Sequence, residues 1–151
     1  MRKNRSVFVL DDSEISLTVI RRAFQNAGIN NAFYFDNDHE FRSAFSKDCG
    51  VVFLDHNLQN RVKGFDLLAF IKAASKDCNV YIISSTSNAD TVAKYSAHVS
   101  RVILKKGDWL RDMIELVKRS KIRNKRQWPV VEYLKTLISL VTEYLKKTNE
   151  S

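Results

Sequence analysis

Charged and hydroxyl side chains follow four apolar runs of this chain, each about as long as a β-strand. Asp11 and Asp12 follow the first run, and Asp55 ends the second. Ser84 opens a row of three hydroxyl residues after another run, and Lys105 follows the last. Carboxylates can bind a divalent cation or attack phosphorus, an ammonium can neutralise a phosphoryl oxygen, and a hydroxyl can donate a hydrogen bond. Together, these residue types could form and hold a phosphoryl group.

The apolar runs are typical of strands that are buried on both faces, as in a parallel sheet. They comprise residues 7–10, 51–54, 80–83 and 102–104. In open α/β sheets, ligands bind outside the carboxyl ends of the strands. Because all four runs end in polar side chains, the sequence predicts one shared site at that edge.

Each of these polar residues also has an ordinary structural explanation when it is considered alone. Asp12 precedes Ser13 and could cap a helix, Asp55 could belong to a turn, and Lys105 could be a surface charge. Clustered carboxylates, however, repel one another unless a cation or a proton intervenes. The combination therefore favours a functional site over separate structural roles.

Strand and helix patterns alternate along the chain, which predicts a parallel sheet with helices on both faces. The predicted strands are 6–10, 32–35, 51–54, 80–83 and 102–104. Helices are predicted over 13–27, 36–45, 64–75 and 90–98, and a fifth begins after Asp108. Gly28 suits the end of the first helix.

Two predicted helices have apolar stripes that should face the core. In the first helix the predicted stripe consists of Ile15, Val19, Ile20, Ala23 and Phe24. In the helix after Asp108 it consists of Leu110, Met113, Ile114 and Val117. Spacings of three and four residues place each set on one side of a helix.

The last part of the chain predicts an additional amphipathic helix. It begins near Pro129, the only proline, after a polar and basic stretch over 119–127. Its apolar residues are Val130, Val131, Leu134, Leu137, Ile138, Val141, Tyr144 and Leu145. This helix could dimerise through its heptad-like stripe or fold back over its own domain, and the pattern does not decide between them.

Bulk composition limits the class of protein. The 151 residues suit one domain with a short appendage, and no apolar run approaches the ~20 residues of a membrane span. Cys49 and Cys78 are isolated, so we expect buried free thiols and a soluble, cytoplasmic chain.

The net charge of +8 is concentrated in the segment from Arg101 to Arg126, which contains ten Lys or Arg residues. Such a charge could attract an acidic partner or nucleic acid.

The order and spacing of Asp11-Asp12, Asp55, Ser84 and Lys105 resemble the response-regulator receiver domain of two-component signalling. The stretch 64–68, Gly-Phe-Asp-Leu-Leu, also resembles the family's entry into its third helix. The resemblance implies an α/β fold with a five-stranded parallel sheet in the order 2-1-3-4-5. We expect a receiver domain over 1–121, and a basic linker with a helical extension over 122–151.

The resemblance also implies a Mg²⁺ site and a phosphoacceptor. Asp12, Asp55 and the backbone carbonyl of Asn57 would bind the ion directly, and Asp11 would act mainly through bound water. Asp55 would be the nucleophile that forms an aspartyl phosphate. The expected donor is a phosphohistidine on a sensor histidine kinase or a histidine phosphotransfer protein.

Two further residues would contact the phosphoryl group if the resemblance holds. Lys105 would neutralise one phosphoryl oxygen, and Ser84 would donate a hydrogen bond to another after phosphorylation.

Two positions depart from the family pattern. Lys106 replaces the usual proline, so we expect a trans peptide bond after Lys105. Val102 replaces the usual aromatic switch residue, so signalling would use the segment 84–90 instead.

Several functions compete at this point. The first is a phosphorylation-dependent switch that catalyses only its own Mg²⁺-dependent phosphorylation and dephosphorylation, and acts through protein contacts. It could form a homodimer through the C-terminal helix or through the surface formed by the helix at 90–98, the last strand and the helix after it. The second is a nucleic-acid-binding protein that uses Lys118–Arg126, a segment without interleaved aromatic residues. A non-phosphorylated scaffold and a phosphatase-like hydrolase are the others, although the order of the acidic residues disfavours the hydrolase.

Overall fold

The strands and helices alternate as the sequence predicts in the computed structural model, which describes residues 5–58, 64–86, 98–122, 138–142 and 145–146. The strands are β1 (Ser6–Leu10), β2 (Ala32–Phe35), β3 (Cys49–Asp55), β4 (Asn79–Ser84) and β5 (Arg101–Leu104). The described helices up to residue 122 are α1 (Glu14–Asn26), α2 (Asp38–Ala44), α3 (Gly64–Ala74) and α4 (Trp109–Ile122). The predicted helix at 90–98 lies outside the described residues, except for His98.

All five strands are parallel and pair in the order β2-β1-β3-β4-β5. This confirms the predicted α/β fold. Leu10 pairs with Leu54, and Asp55 pairs with Ile83, so the carboxyl ends of the central strands are level with one another. The polar residues that follow these strands are therefore brought to one edge, which we call the carboxyl edge.

The sheet carries a cluster of buried apolar side chains on each face. One cluster joins strand residues to Leu17, Ile20 and Phe24 of α1, and to Met113 and Val117 of α4. The other joins strand residues to side chains of α2 and α3, including Phe41, Leu67, Leu68 and Ile71. Helices thus cover both faces, and the strands between them are almost entirely apolar because water reaches neither face.

The predicted stripe of α1 was partly wrong. Ile20 and Phe24 are buried, but Ile15 and Val19 are 78% and 39% exposed. Leu17 is buried in their place. Leu17, Ile20 and Phe24 also follow three- and four-residue spacing, so two overlapping apolar stripes were available and only one faces the sheet.

Local capping fixes where α1 and α2 begin and where α1 ends. The side chain of Ser13 accepts a hydrogen bond from the Ser16 N–H, and Asn37 accepts one from the Glu40 N–H. Each cap satisfies a backbone donor that has no partner within its helix. Gly28 has a φ of 73°, which favours glycine and ends α1 as predicted.

Part of the predicted C-terminal helix is described, and it contacts its own domain. Residues 138–142 and 145–146 are helical. Leu140 is fully buried in the cluster beneath α2 and α3, whereas Ile138, Val141 and Leu145 are exposed. The helix therefore folds back through Leu140, a residue outside the predicted stripe. The other predicted stripe residues, over 130–137 and at 144, lie outside the described residues, as does the basic segment from 123 to 126.

No helix within the described parts of the chain has both the length and the apolar character needed to cross a membrane. The longest of them, α4, has 14 residues and carries charged side chains along its length. A bilayer core requires about 20 consecutive apolar residues.

Candidate functional site

The carboxyl edge brings together side chains that are far apart in the sequence. Asp11 directly follows β1, where its N–H donates to the Phe35 carbonyl of β2. Asp55 is the last residue of β3, and Lys105 directly follows β5. The Lys105 N–H donates to the Ser84 carbonyl at 2.8 Å, which continues the sheet hydrogen bonding by one residue. Backbone hydrogen bonds of the sheet therefore bring these residues together independently of their side-chain contacts.

Lys105 joins two carboxylates at the centre of this edge. Its Nζ lies 2.7 Å from Asp11 Oδ2 and 2.9 Å from Asp55 Oδ1. Both carboxylates are buried, and the Lys105 side chain is only 16% exposed. A third, longer contact of 3.4 Å reaches Ser16 Oγ. Charge-assisted hydrogen bonds of this length are among the stronger ones in proteins, so they fix the positions of both carboxylates.

Backbone donors orient the remaining oxygens of the same carboxylates. The Ser13 N–H donates to Asp11 Oδ1 at 2.9 Å, and the Asn57 N–H donates to Asp55 Oδ2 at 2.9 Å. Each carboxylate thus has one oxygen toward Lys105 and one toward the loop that follows its strand. Groups of the protein itself thus hold the two buried acids in defined orientations.

Burial and charge act in opposite directions on the ionisation of this group. Burial is the main cause that raises the pKa of Asp55 above its ordinary value, and the nearby Asp11 adds to the rise. The hydrogen bond from Lys105 works against it. Burial alone would lower the pKa of Lys105, but hydrogen bonds and charges from Asp11 and Asp55 together raise it. Lys105 therefore remains a cation, and Asp55 holds a proton more readily than an exposed aspartate.

Asp12 completes a set of three carboxylates that fits a divalent cation. One oxygen from each of Asp11, Asp12 and Asp55 lies within 4.8 Å of the others. Lys105 supplies one positive charge against their three negative charges, which leaves two negative charges among these four groups. Carboxylate oxygens are the ligands that Mg²⁺ prefers, and it is usually bound by one or two of them with several waters. The residues present thus fit the predicted Mg²⁺ site in donor type and in charge.

Ser84 lies at the same edge, and its hydroxyl is hydrogen-bonded within its own loop. Its Oγ lies 3.0 Å from the Thr86 carbonyl oxygen and 3.2 Å from Thr86 Oγ1. Ser84 is fully buried as the last residue of β4, next to β3 and β5 in the sheet. The hydroxyl would have to exchange its partners to meet a group bound at Asp55.

Other predicted features of the site can be located as well. Asn57 is exposed in the loop after β3. The peptide bond after Lys105 is trans, as expected, and none of the described residues has a cis bond. Ser16 was not predicted, although its position in the first turn of α1, four residues after Asp12, could have indicated that it faces the site. The segment 87–90, proposed as part of a switch, lies outside the described residues.

Comparisons with known proteins agree with this architecture. The family model "Response regulator receiver domain" matches residues 7–118. Among curated proteins, no sequence matches this chain significantly.

Solved structures with the same fold cover nearly all of the β-sheet region. The BeF₃-activated receiver domain of DrrB, a Thermotoga maritima protein, is 21% identical with a TM-score of 0.68, over 79% of this chain and 98% of that one. The isolated receiver domain of RcsB from Salmonella enterica is 18% identical with a TM-score of 0.64, over 91% and 99%. A putative pilus assembly-related protein from Burkholderia pseudomallei is 10% identical with a TM-score of 0.62, over 84% and 97%.

These structural similarities establish the fold, and the family match covers most of the sequence. The same region contains the clustered carboxylates and the lysine at the carboxyl edge. Receiver domains are signalling modules of two-component systems rather than enzymes that turn over a separate substrate. The chain belongs to the response regulator receiver domain family.

Proposed function

We propose that this protein is a phosphorylation-dependent switch in which Asp55 accepts a phosphoryl group from a phosphohistidine. The observation that carries the proposal is the contact of Lys105 with both Asp11 and Asp55, beside a third carboxylate at the carboxyl edge. A structural ion pair would need one lysine and one acid. Three clustered acids beside one lysine leave an excess of negative charge that suits a divalent cation. That cation, together with Lys105, would in turn offset the negative charge of a phosphoryl group.

In the proposed reaction, an oxygen of Asp55 attacks the phosphorus of the donor. A P–O bond forms to Asp55, the P–N bond of the phosphohistidine breaks, and the imidazole leaves with the electron pair of that bond. The Asn57 N–H and Lys105 hold the two oxygens of Asp55 in place before attack. Such positioning contributes to rate because the carboxylate does not have to be ordered at the moment of reaction.

A bound Mg²⁺ would offset the repulsion between the carboxylate and the phosphoryl oxygens and would orient those oxygens. Asp12, Asp55 and the carbonyl of Asn57 would hold it directly, with Asp11 acting through water. Lys105 already contacts Asp55, so its ammonium is placed to neutralise a phosphoryl oxygen attached there. Phosphorylation and its hydrolysis would be the only reactions that the domain assists.

The switch itself would involve Ser84. Its hydroxyl is hydrogen-bonded to Thr86. To donate to a phosphoryl oxygen, the Ser84 hydroxyl would have to break its hydrogen bond to the Thr86 carbonyl. The loss of this bond would allow the loop after β4 to move. Two of the structurally similar receiver domains are described with BeF₃, named as activating in one and as phosphomimetic in the other. A sensor kinase or a phosphotransfer protein would be the donor, and protein contacts would transmit the change.

The predicted homodimer remains part of this proposal. The described residues of the C-terminal helix leave Ile138, Val141 and Leu145 exposed, while Leu140 packs on the domain. A dimer and the observed fold-back are therefore compatible, because they use different sides of the helix. Light scattering of the protein with and without BeF₃ would test it, and an unchanged monomer mass in both states would count against dimer formation.

Intact mass measurement tests the phosphoacceptor proposal. Wild-type protein incubated with acetyl phosphate and Mg²⁺ should gain one phosphoryl group. Asp55→Asn should gain none, and removal of Mg²⁺ with EDTA should slow the gain strongly. Asp48→Asn is a matched control, because it makes the same chemical change at an exposed position just before β3. It should be phosphorylated like the wild type.

Two results would overturn the proposal. One is a folded, Mg²⁺-containing wild type that gains no phosphoryl group, which would favour a scaffold that signals by binding alone. The other is an equal gain in Asp55→Asn, which would place the acceptor elsewhere. Circular dichroism of each variant shows that loss of phosphorylation does not result from loss of fold.

A further inference from the structure

The two cysteines, 29 residues apart in the sequence, meet where the central strands begin. We call this end of the sheet, opposite the carboxyl edge, the opposite edge. Cys49 is the first residue of β3, and Cys78 directly precedes β4, its neighbour. Their Sγ atoms are 2.8 Å apart. The residues are only 1% and 2% exposed and belong to the same buried cluster. The two cysteines form no CxxC motif, although each lies two residues before the valine that begins a predicted strand, Val51 or Val80.

The surroundings of the pair keep the two sulfur atoms together. Cys49 Sγ lies 3.5 Å from the Val51 carbonyl oxygen, and Cys78 Sγ lies 3.8 Å from that of Asn79. Lys72 in α3 donates from its Nζ to the Cys78 carbonyl at 2.9 Å and is buried itself. That hydrogen bond ties the residue carrying one thiol to α3. The pair is therefore held by β3, β4 and α3 rather than by one flexible loop.

The strand register places the two cysteines near each other on neighbouring strands. Val51 pairs with Asn79, so Cys78 lies beside the residue that follows Cys49, and the two Sγ atoms are in contact. Disulfides usually join residues whose Cα atoms are about 4.4–6.8 Å apart, a range that includes the spacing of neighbouring strands. Both cysteines lie where β3 and β4 begin, with their sulfurs on the same side of the sheet. A bond would require small side-chain adjustments and no rearrangement of strands.

We propose that Cys49 and Cys78 form an intramolecular disulfide when the protein meets a small thiol oxidant, such as a peroxide or a diazene. With a diazene such as diamide, one S–S bond forms and two S–H bonds break. The two hydrogen atoms and two electrons pass to the N=N group, which becomes a hydrazine. The reverse step needs a dithiol reductant such as dithiothreitol. This reaction needs no metal, and it does not involve the residues proposed for phosphoryl transfer.

The reduced pair should react slowly until local opening admits the oxidant. Burial raises the pKa of the Cys49 thiol, and the hydrogen bond to Cys78 adds to the rise, so little thiolate is present at neutral pH. Once formed, the disulfide would restrict the denatured chain and raise the melting temperature. Asp55 lies at the far end of β3, six residues from Cys49, so oxidation leaves its contacts with Lys105 unchanged.

Differential alkylation with mass measurement tests this proposal. Folded wild-type protein is incubated with diamide, separated from it, and then denatured in iodoacetamide. The expected product lacks both alkyl groups and is lighter than the reduced protein by two hydrogen atoms. Non-reducing digestion should give one peptide pair that contains Cys49 and Cys78. The melting temperature should rise after oxidation and return to its starting value with dithiothreitol.

Cys49→Ser and Cys78→Ser provide matched controls of nearly equal volume. Each should retain one alkylatable thiol under the same treatment and show no reversible rise in melting temperature. Two alkyl groups on diamide-treated wild type would overturn the proposal, as would oxidant adducts on separate cysteines or a disulfide between two molecules. Phosphorylation at Asp55 is measured separately, so failure of one proposal does not depend on the other.

Discussion

A lysine lies near each end of the central strands, Lys105 at the carboxyl edge and Lys72 of α3 at the other end, and burial and neighbouring charges shift their pKa values in opposite directions. Lys105 at the carboxyl edge contacts two carboxylates, which together raise its pKa despite its burial. Lys72 at the opposite edge donates to a neutral backbone carbonyl beside two thiols. Its burial lowers its pKa, and the thiols offset only part of that effect. A buried ammonium is therefore stabilised at one edge and disfavoured at the other.

This difference shows what each edge is suited to do. At the carboxyl edge, acids outnumber the lysine, so the site has an excess of negative charge that a divalent cation would neutralise before a phosphoryl group is bound. At the opposite edge, a hydrogen bond and packing hold a lysine near two thiols, which are neutral both as thiols and as a disulfide. Lys72 of α3 and Lys105 after β5 therefore differ in ionisation because the groups that they contact, a carbonyl and two carboxylates, differ in charge.

The largest expected effect comes from removing the lysine that has charged partners. Lys105→Met leaves Asp11 and Asp55 buried without their shared cation, and breaking a buried pair in this way costs about 3–5 kcal/mol. Phosphorylation by acetyl phosphate should also slow, because the ammonium beside Asp55 is lost. Urea unfolding without Mg²⁺ measures the change in the free energy of unfolding.

Lys72→Met is the matched control for that substitution. It removes a buried ammonium and its hydrogen bond to the Cys78 carbonyl, and the desolvation that is no longer required offsets part of this loss. We expect a change within about 1–2 kcal/mol of wild type, on the scale of one hydrogen bond. Equal destabilisation by the two variants would remove the proposed difference between the two edges.

Mg²⁺ should stabilise the protein through the carboxyl edge alone. An ion that binds only the folded state at about a hundredfold excess over its Kd adds about 2.7 kcal/mol to the free energy of unfolding. Asp12→Asn should remove much of this gain because it takes away one of three clustered carboxylates. Thermal unfolding with and without Mg²⁺ measures the gain. Lys72→Met should respond to Mg²⁺ like the wild type, and a Mg²⁺ response that survives in Asp12→Asn would argue for a different site.

The smallest expected effect is a pH dependence that belongs to Lys72. Since its pKa in the folded protein is below the ordinary 10.5, the unfolded chain binds the proton more tightly. Its contribution to stability should therefore increase as pH rises toward 10.5, by at most about 1.4 kcal/mol per pH unit. Lys105 acts oppositely, since its pKa is raised and its stabilisation is lost only as pH rises above 10.5.

Urea unfolding of wild type and Lys72→Met at several pH values below 10.5 isolates this contribution. The free energy of unfolding of wild type, relative to that of the variant, should increase as pH rises. Parallel pH profiles for the two proteins would show that burial of Lys72 does not shift its ionisation. For Lys105→Met, the free energy of unfolding of wild type relative to that of the variant should not increase over the same pH range.

The sheet and its edge were predictable from the sequence because a parallel sheet needs continuous apolar strands. The bounds of β1 and β2 agree with the prediction, and β3 extends beyond it to Cys49 and Asp55. The carboxyl-edge residues could be grouped in advance because parallel strands deliver their ends to one place. Their pairing could not, since the bridge from Lys105 to Asp11 and Asp55 depends on side-chain geometry.

Features that depend on which of several apolar surfaces meets the sheet were not predictable. Ile15 and Val19 have the same spacing as a core stripe, yet α1 buries Leu17 instead. In the C-terminal helix, Leu140 rather than Val141 reaches the core. The cysteine pair was also missed, because the strand register decides whether distant thiols meet and periodicity does not reveal register.

The most direct test of the central claim is to locate the phosphoryl group chemically. An aspartyl phosphate is an acyl phosphate, so borohydride reduces it to a homoserine at the phosphorylated position. Protein treated with acetyl phosphate and Mg²⁺, reduced, and then digested should contain homoserine at position 55 and aspartate at Asp11 and Asp12. Homoserine at either of those two positions, or a borohydride-resistant phosphate on Ser84, would contradict the assignment of Asp55 as the acceptor.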